Sequence, residues 1–330
     1  MNRPGWLAAL ALSIALALPS TAVRAQEGNA TSYPSRPVRL VVPFPAGGPA
    51  DIVARLIGQR LSEHWAQPVI VDNRPGGNTI IAAQFVARSI PDGYTLLMVI
   101  DSTLVMNPFL YRSLPYDPFS DFAPITLTTK TMSLLAVRAD DGPKTVRELI
   151  AKAKAAPGKL SYGGGTITAR LMGHLVNKAT GVDTLYVPFK GTPETMNGLL
   201  NGSVDLIYAA TTIVLPMMQS GQLRALAKMD SRTLPAVGEL ETLAEAAGLT
   251  DFDDISVWLG LVAPKGTPQP IVDKISTEVR SILADPNVKR SADATGSYPV
   301  TNSPEEFSQF IRREANRWGK VVHELDLRYD

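Results

Sequence analysis

Two glycine turns carry the residues whose types and spacing offer the clearest chemistry in this chain. The first is Pro43-Phe44-Pro45-Ala46-Gly47-Gly48-Pro49-Ala50-Asp51. It follows the apolar, β-branched run Val38, Leu40, Val41 and Val42, which suits a buried strand. It precedes Val53, Leu56, Ile57, Leu61 and Trp65 at three- and four-residue steps, the pattern of a helix with one buried face. Adjacent glycines leave backbone N–H groups unscreened at the helix start, where orphan donors and the helix dipole favour an anion. The second turn, Gly163-Gly164-Gly165-Thr166, repeats the arrangement between a short strand at 160–162 and a helix over 169–178. Main-chain donors at a helix start make a binding geometry before a catalytic one. Taken alone, a glycine pair is explained first by a tight turn that needs positive φ.

Asp51 stands at the start of the first helix, and a carboxylate beside an anion site is electrostatically unfavourable. Its position suggests a helix N-cap; a second role is to orient water or meet an ammonium group of the solute. Elsewhere the constellations that enzymes use are missing. The three histidines, at positions 64, 174 and 323, have no metal-ligand spacing, and there is neither a GxSxG elbow nor a P-loop Lys-Ser/Thr. Gly163 and Gly165 begin a GxGxx pattern, but Thr168 occupies the third glycine position, which argues against a dinucleotide. Asp253-Asp254 reads as a solvated pair beside a turn, since neighbours on an extended chain point to opposite faces. Trp258, in an apolar strand, reads as core. No enzyme activity, cofactor or metal is expected.

The elements that must position the glycine turns alternate. Strands are expected at 38–42, 68–73 and 94–99 with helices between them, then at 134–137, 160–162, 185–189, 204–208, 223–227 and 256–263. Helices are expected at 80–90, at 145–155 with Thr145 as cap, at 269–283 and from the Ser303-Pro304-Glu305-Glu306 signature to about residue 323. Strands separated by helices of this length imply parallel βαβ units and an α/β fold. Residues 101–124, where prolines accumulate, read as a long irregular connection.

At 330 residues with 45% hydrophobic and 19% charged content, the chain is long enough for two domains with cores of their own. A formal charge of +1 gives no field that would draw nucleic acid or a membrane surface. The first 25 residues pair Arg3 with an apolar core over 6–18 and a small-residue end at Val23-Arg24-Ala25, which reads as a cleavable signal peptide and an exported, soluble product. The absence of cysteine excludes disulfides, a thiol nucleophile and an N-terminal lipid anchor.

Longer motifs bring a resemblance into view. YPSRPVRLVVPFPAGGPADIVAR, VDNRPGGN, PDGYTLL and LPYDPFSDFAPI, followed by YVPFKGTPETMNGLLNGSVDLIY, SGQLRALA, SVWLGLVAPKGTP and SPEEFSQFIRREANRWGKVV, closely resemble the Bug-type extracytoplasmic solute-binding proteins of tripartite tricarboxylate transporters. The match covers nearly all of the chain after the leader, in the family's order. It implies a periplasmic receptor of the two-domain Venus-flytrap kind (type II), with residues 33–132 and 256–330 in one domain and 133–255 in the other. Such a receptor is expected to be a monomer that closes on a small carboxylate, through main-chain donors and ordered water, and serves the membrane subunits of a tripartite tricarboxylate transporter. Carried across residue by residue, the binding set is Phe44, Ala46, Gly47, Gly48 and Asp51 on one side and Tyr162, Gly164, Gly165 and Thr166 on the other, with the two loops facing each other. Asn78 and Arg170 stand where the family often has a Gly-rich loop and a histidine. Arg170 is either a clamp for a second carboxylate or a solvent-facing helix residue, and Tyr208 is expected beside the cleft. Transport and solute sensing for a membrane kinase share this pattern, and an exported enzyme acting on a carboxylate is the remaining alternative.

Overall fold

The structure, a computed structural model, describes residues 32–250, 252, 254–293 and 296–329. The leader therefore lies outside the described residues, as does Asp253 of the paired carboxylates. Among the described residues ten strands alternate with helices: β1 Val38–Val42, β2 Val69–Asn73, β3 Thr95–Ile100, β4 Phe122–Arg138, β5 Ser161–Gly164, β6 Leu185–Pro188, β7 Leu206–Ala210, β8 Leu223–Lys228, β9 Ser256–Pro264 and β10 Ser297–Pro299. This is a mixed α/β fold in two parts, each a sheet flanked by helices.

One sheet has the order β2-β1-β3-β9-β4-β10, with β1, β2 and β3 parallel and β9 antiparallel to β3 and β4. The other has the order β8-β4-β7-β5-β6, with β5 parallel to both β6 and β7. Strand β4 belongs to both. Met132 is paired with Ser256 in the first sheet, and the next residue, Ser133, is paired with Ala210 in the second. The chain returns alongside it: Met229 N–H donates to Ser133 O at 2.9 Å and Ile255 N–H to Met229 O at 2.7 Å.

The two-residue period of the strands sorts their side chains onto opposite faces. Leu40, Leu96 and Leu259 pack beneath Ile57 and Ile275, while Leu134 and Ile207 pack with Leu199 and Val204. The alternate positions Val41, Leu97, Leu135 and Leu206 join a third cluster that also takes in Leu104, Tyr162 and the C-terminal Trp318, so it runs from one sheet to the other. Trp258 is core, packed edge-on against Phe307.

Several expected caps are present. Thr145 accepts from Glu148 N–H at the start of helix Val146–Ala155, and Ser303 with Glu306 forms a capping box on Pro304–Glu324. Residues 101–124 differ from the expected loop. They hold a π-type helical turn, Ser102–Met106, then the helix Asn107–Leu110, and β4 begins at Phe122. The turn is too short for a period, and its β-branched and polar residues have weak helix propensity. Pro124 enters β4 because the register shifts there, at an irregularity between Pro124 and Thr126. Helices Thr192–Leu200, Thr211–Gln219, Leu243–Ala247 and Pro286–Asp293 also go beyond the sequence expectation. Among the described residues no helix is long and apolar enough to cross a membrane.

Candidate functional site

Three loops leave the carboxyl ends of the parallel strands β1, β2 and β3, the edge where open α/β sheets hold their ligands. The first is the glycine turn after β1. Gly47 has φ +85°, and a Cβ there would meet nothing within 4 Å, so glycine is needed for conformation and not for space. The expected cap at Asp51 is corrected: the N-cap of helix Pro49–Trp65 is Gly48, and Asp51 is three residues in, where its side chain folds back over the turn. Asp51 is 2% exposed. Its Oδ2 accepts from Gly47 N–H at 2.9 Å and Arg55 Nε at 2.8 Å, and its Oδ1 accepts from Asn73 Nδ2 at 2.9 Å. Asn73 Nδ2 also donates to Phe44 O at 3.0 Å, which ties the turn to the end of β2. The Arg55 guanidinium holds the Asp51 carboxyl down at about 2, with the Gly47 and Asn73 donors adding to the effect against its burial. Gly47 N–H is thus satisfied within the chain; the donors of Ala46 and Gly48 have no acceptor among the described residues.

The loop after β2 turns left-handed. Gly76, Gly77, Asn78 and Thr79 all have positive φ, and for Thr79, β-branched and buried, +76° is a strained value. Side chains lock it in place. Thr103 Oγ1 donates to Thr79 Oγ1 at 2.8 Å, Asn78 Nδ2 donates to Asn107 Oδ1 at 2.8 Å, and Asn107 Nδ2 returns a bond to Asn78 O at 2.9 Å. Asn78 is exposed but its amide nitrogen is engaged in this lattice.

Asp101 opens the loop after β3. Its Oδ1 accepts from Ser102 N–H at 2.6 Å, while its Oδ2, shut off from solvent, has no partner among the described residues. Burial drives its carboxyl up to about 7; the charge of Glu314 adds to the rise, and the Ser102 N–H and the Thr168 hydroxyl oppose it.

Thr168 belongs to the second part of the molecule. It lies in the first turn of helix Ile167–Thr180, and its hydroxyl points at Met106 Sδ at 3.7 Å. The second glycine turn thus stands against the loop after β3. The helix begins earlier than its apolar period suggested, because Thr166 is the N-cap and its Oγ1 accepts from Ala169 N–H at 3.2 Å. The glycines differ in kind from Gly47. A Cβ at Gly165 would lie 2.3 Å from the carbonyl carbon of Gly191, so this position is glycine to let two backbones touch. Gly164 O accepts from Phe189 N–H at 3.0 Å and from the Tyr186 hydroxyl at 2.9 Å, and Asp205 Oδ2 accepts from Ser161 N–H at 2.8 Å. The N–H groups of Gly165 and Thr166 have no acceptor among the described residues.

Arg170 lies one turn into that helix with its guanidinium 5.1 Å from the Tyr186 ring centre, and it forms no ion pair among the described residues. Tyr162 and Tyr208 point inward. The Tyr162 hydroxyl donates to Arg170 O at 3.0 Å, and its ring packs edge-on against Tyr208, which lines a small apolar void with Val146 and Leu149. Their side chains are core, which leaves only main chain to face a ligand. Sequence reasoning passed over Asn73, Arg55, Thr79, Thr103 and Asp101. For Asp101 there was a signal: a lone acid that ends an apolar strand. No group of three or more His, Asp or Glu placed to hold a metal occurs among the described residues.

The model of the tripartite tricarboxylate transporter family receptor matches residues 53–327. A protein of Pseudomonas sp. strain P51, from the tcbD–tcbE intergenic region, is 36% identical over 95% of this chain and 93% of its own length. Among solved structures, an R. palustris protein with adipate superposes with a TM-score of 0.79 at 34% identity, covering 88% of this chain and 97% of that one. MatC from Rhodopseudomonas palustris with bound malate gives 0.74 at 32% identity, covering 88% and 100%.

Proposed function

The chain belongs to the family of tripartite tricarboxylate transporter receptors, and on that premise we propose that it is a periplasmic solute-binding protein that captures a small carboxylate and delivers it to the membrane subunits of such a transporter. The observation that carries this reading is the pair of strand–glycine–helix junctions, one in each sheet. Ala46 and Gly48 in one, and Gly165 and Thr166 in the other, offer main-chain donors with no acceptor of their own, each at the start of a helix of more than three turns. Water or a bound anion must satisfy such donors, and a carboxylate between the two junctions would satisfy both sets at once.

The corresponding domains are 33–132 with 256–330 and 133–255, the first carrying the turn at Phe44–Gly48 and the second the turn at Tyr162–Thr166. Residues 1–25 act as the export signal. The two relatives solved with adipate and malate make dicarboxylates the first solutes to try. A melting-temperature screen of the mature chain against mono-, di- and tricarboxylates, aromatic acids and amino acids tests the reading. A solute at 100 times its dissociation constant stabilises the fold by about 2.7 kcal/mol. A shift with a sugar or a cation and with no carboxylate would refute the anion site.

A further inference from the structure

Asp101 is a buried carboxyl with one oxygen unused, at a place where the fold spends its other polar groups carefully. β1 and β3 pair side by side in parallel, so Asp101, the first residue past the end of β3, belongs to the loop that neighbours the first glycine turn. From the other side it is covered by Thr168, which follows the second glycine turn. The group thus lies where Thr168 of the second part meets the carboxyl end of β3. Its Oδ2 is buried and has no hydrogen bond of ordinary geometry among the described residues, with the Thr168 hydroxyl facing the carboxyl. A native protein rarely leaves such an atom without a role.

We propose that Asp101 determines specificity by donating a hydrogen bond from a protonated Oδ2 to a carboxylate oxygen of the solute, so that each solute is captured together with one proton. This rests on the reading of the cleft as a carboxylate site. The proton comes from solvent and stays on Oδ2, and the solute carboxylate remains the acceptor; no other bond changes.

The surroundings favour the neutral acid over an ionised Asp101 awaiting a cation. From helix Pro304–Glu324 the facing charge is Glu314, which sits 3.9 Å from Arg317 and accepts from Trp318 Nε1 at 3.2 Å. Helix Ile167–Thr180 presents the Thr168 hydroxyl, and six residues along it lies His174, whose burial lowers its basicity against the opposing charge of Glu324. Strands β3 and β9 and the segment 102–110 carry no charged side chain. The turn Gly77–Thr79 offers only Asn78 and Thr79, and Lys130 of β4 is held over the Phe310 ring at 5.3 Å. A free carboxyl already pushed up to about 7 by this burial is driven further towards its acid form when an anion arrives beside it.

The test is isothermal calorimetry of the mature protein with adipate, malate and the strongest carboxylate of the melting screen. Titrations run between pH 6.5 and 8.5 in buffers of different ionisation heat. The wild type is expected to take up close to one proton per solute at pH 8.5, with Kd rising about tenfold per pH unit above pH 7.5. Asp101→Asn keeps a donor of the same size, so it should bind with no proton uptake and a flat pH profile. Asp101→Ala should bind more than tenfold more weakly at pH 6.5. Binding by the wild type without proton uptake, or uptake that survives in Asp101→Asn, overturns the inference and leaves the carboxylate reading standing. Loss of binding in a folded Asp101→Asn, with amino-bearing solutes bound by the wild type and no proton taken up, overturns it in favour of an ionised Asp101 that meets a cation. If no carboxylate binds wild type or variant, the carboxylate reading falls and the inference with it.

Discussion

At the scale of single residues, the first glycine turn depends on one buried carboxylate. Asp51 spends its oxygens on Gly47, Arg55 and Asn73, which fixes the direction of the Ala46 and Gly48 donors. Replacing it by alanine leaves those three partners short of an acceptor and should cost about 1–3 kcal/mol in urea denaturation, with solute affinity falling as the turn loosens. The pH dependence has a definite sign. A folded-state value of about 2 lies below the ordinary 3.8, so the contribution is present above pH 4 and fades as pH drops towards 2; in Asp51→Asn that acid limb should be shallower. Arg170, which forms no ion pair among the described residues, makes a different prediction. If it reads a second carboxylate, Arg170→Ala should weaken dicarboxylates at least tenfold more than monocarboxylates in calorimetry, and equal losses would assign it to the Tyr186 contact alone. The two strand–glycine–helix junctions were legible in residue types, because glycines between a β-branched run and an amphipathic period mark the turn that joins them. The engagement of Gly47 by Asp51 was not, since an i to i+4 side-chain bond leaves no trace in hydrophobic period.

Among the elements, the two strand–helix junctions look alike in sequence and are built for different reasons. Gly47 needs a left-handed backbone; Gly165 needs the absence of a side chain, because the Gly191 backbone lies where a Cβ would be. Gly165→Ala should therefore destabilise the chain by about 1–3 kcal/mol and disturb the start of helix Ile167–Thr180. A solute-binding assay on the folded fraction should show a clear loss. Such a contact joins residues 26 apart and cannot be read from either stretch alone. The same limit applies to the turn Ser102–Met106. Its five residues are all buried, so no face is polar and no period exists for a sequence reader to find. Long amphipathic helices were legible for the opposite reason, since each shows one face to water and one to the core, and the β-branched strands were legible as short apolar runs buried on both faces.

For the whole molecule, the parallel βαβ character and both sheets follow from the alternation of strand and helix, but the crossing between them does not. Residues 134–137 read as a short strand of their own, whereas they are the far end of a 17-residue strand whose first half pairs elsewhere. Nothing in the composition of Phe122–Arg138 marks the point where its partners change. Pairing partners are distant in sequence, so the handover between Met132 and Ser133 exists only in three dimensions. A core cluster that runs through both sheets adds to the connection. Unfolding in urea should accordingly be one transition, with tryptophan fluorescence and far-ultraviolet dichroism giving the same midpoint; two separated midpoints would show that the halves are independent. The shared strand also sets the kind of motion available. A loop between lobes would let them swing like pages, but a laced β-ribbon resists bending within its plane and yields mainly to twist. Any closing over a solute must then be torsional, with β4 acting as a torsion bar. The amides of Thr131 to Leu135 should stay protected from hydrogen exchange whether the protein is loaded or empty.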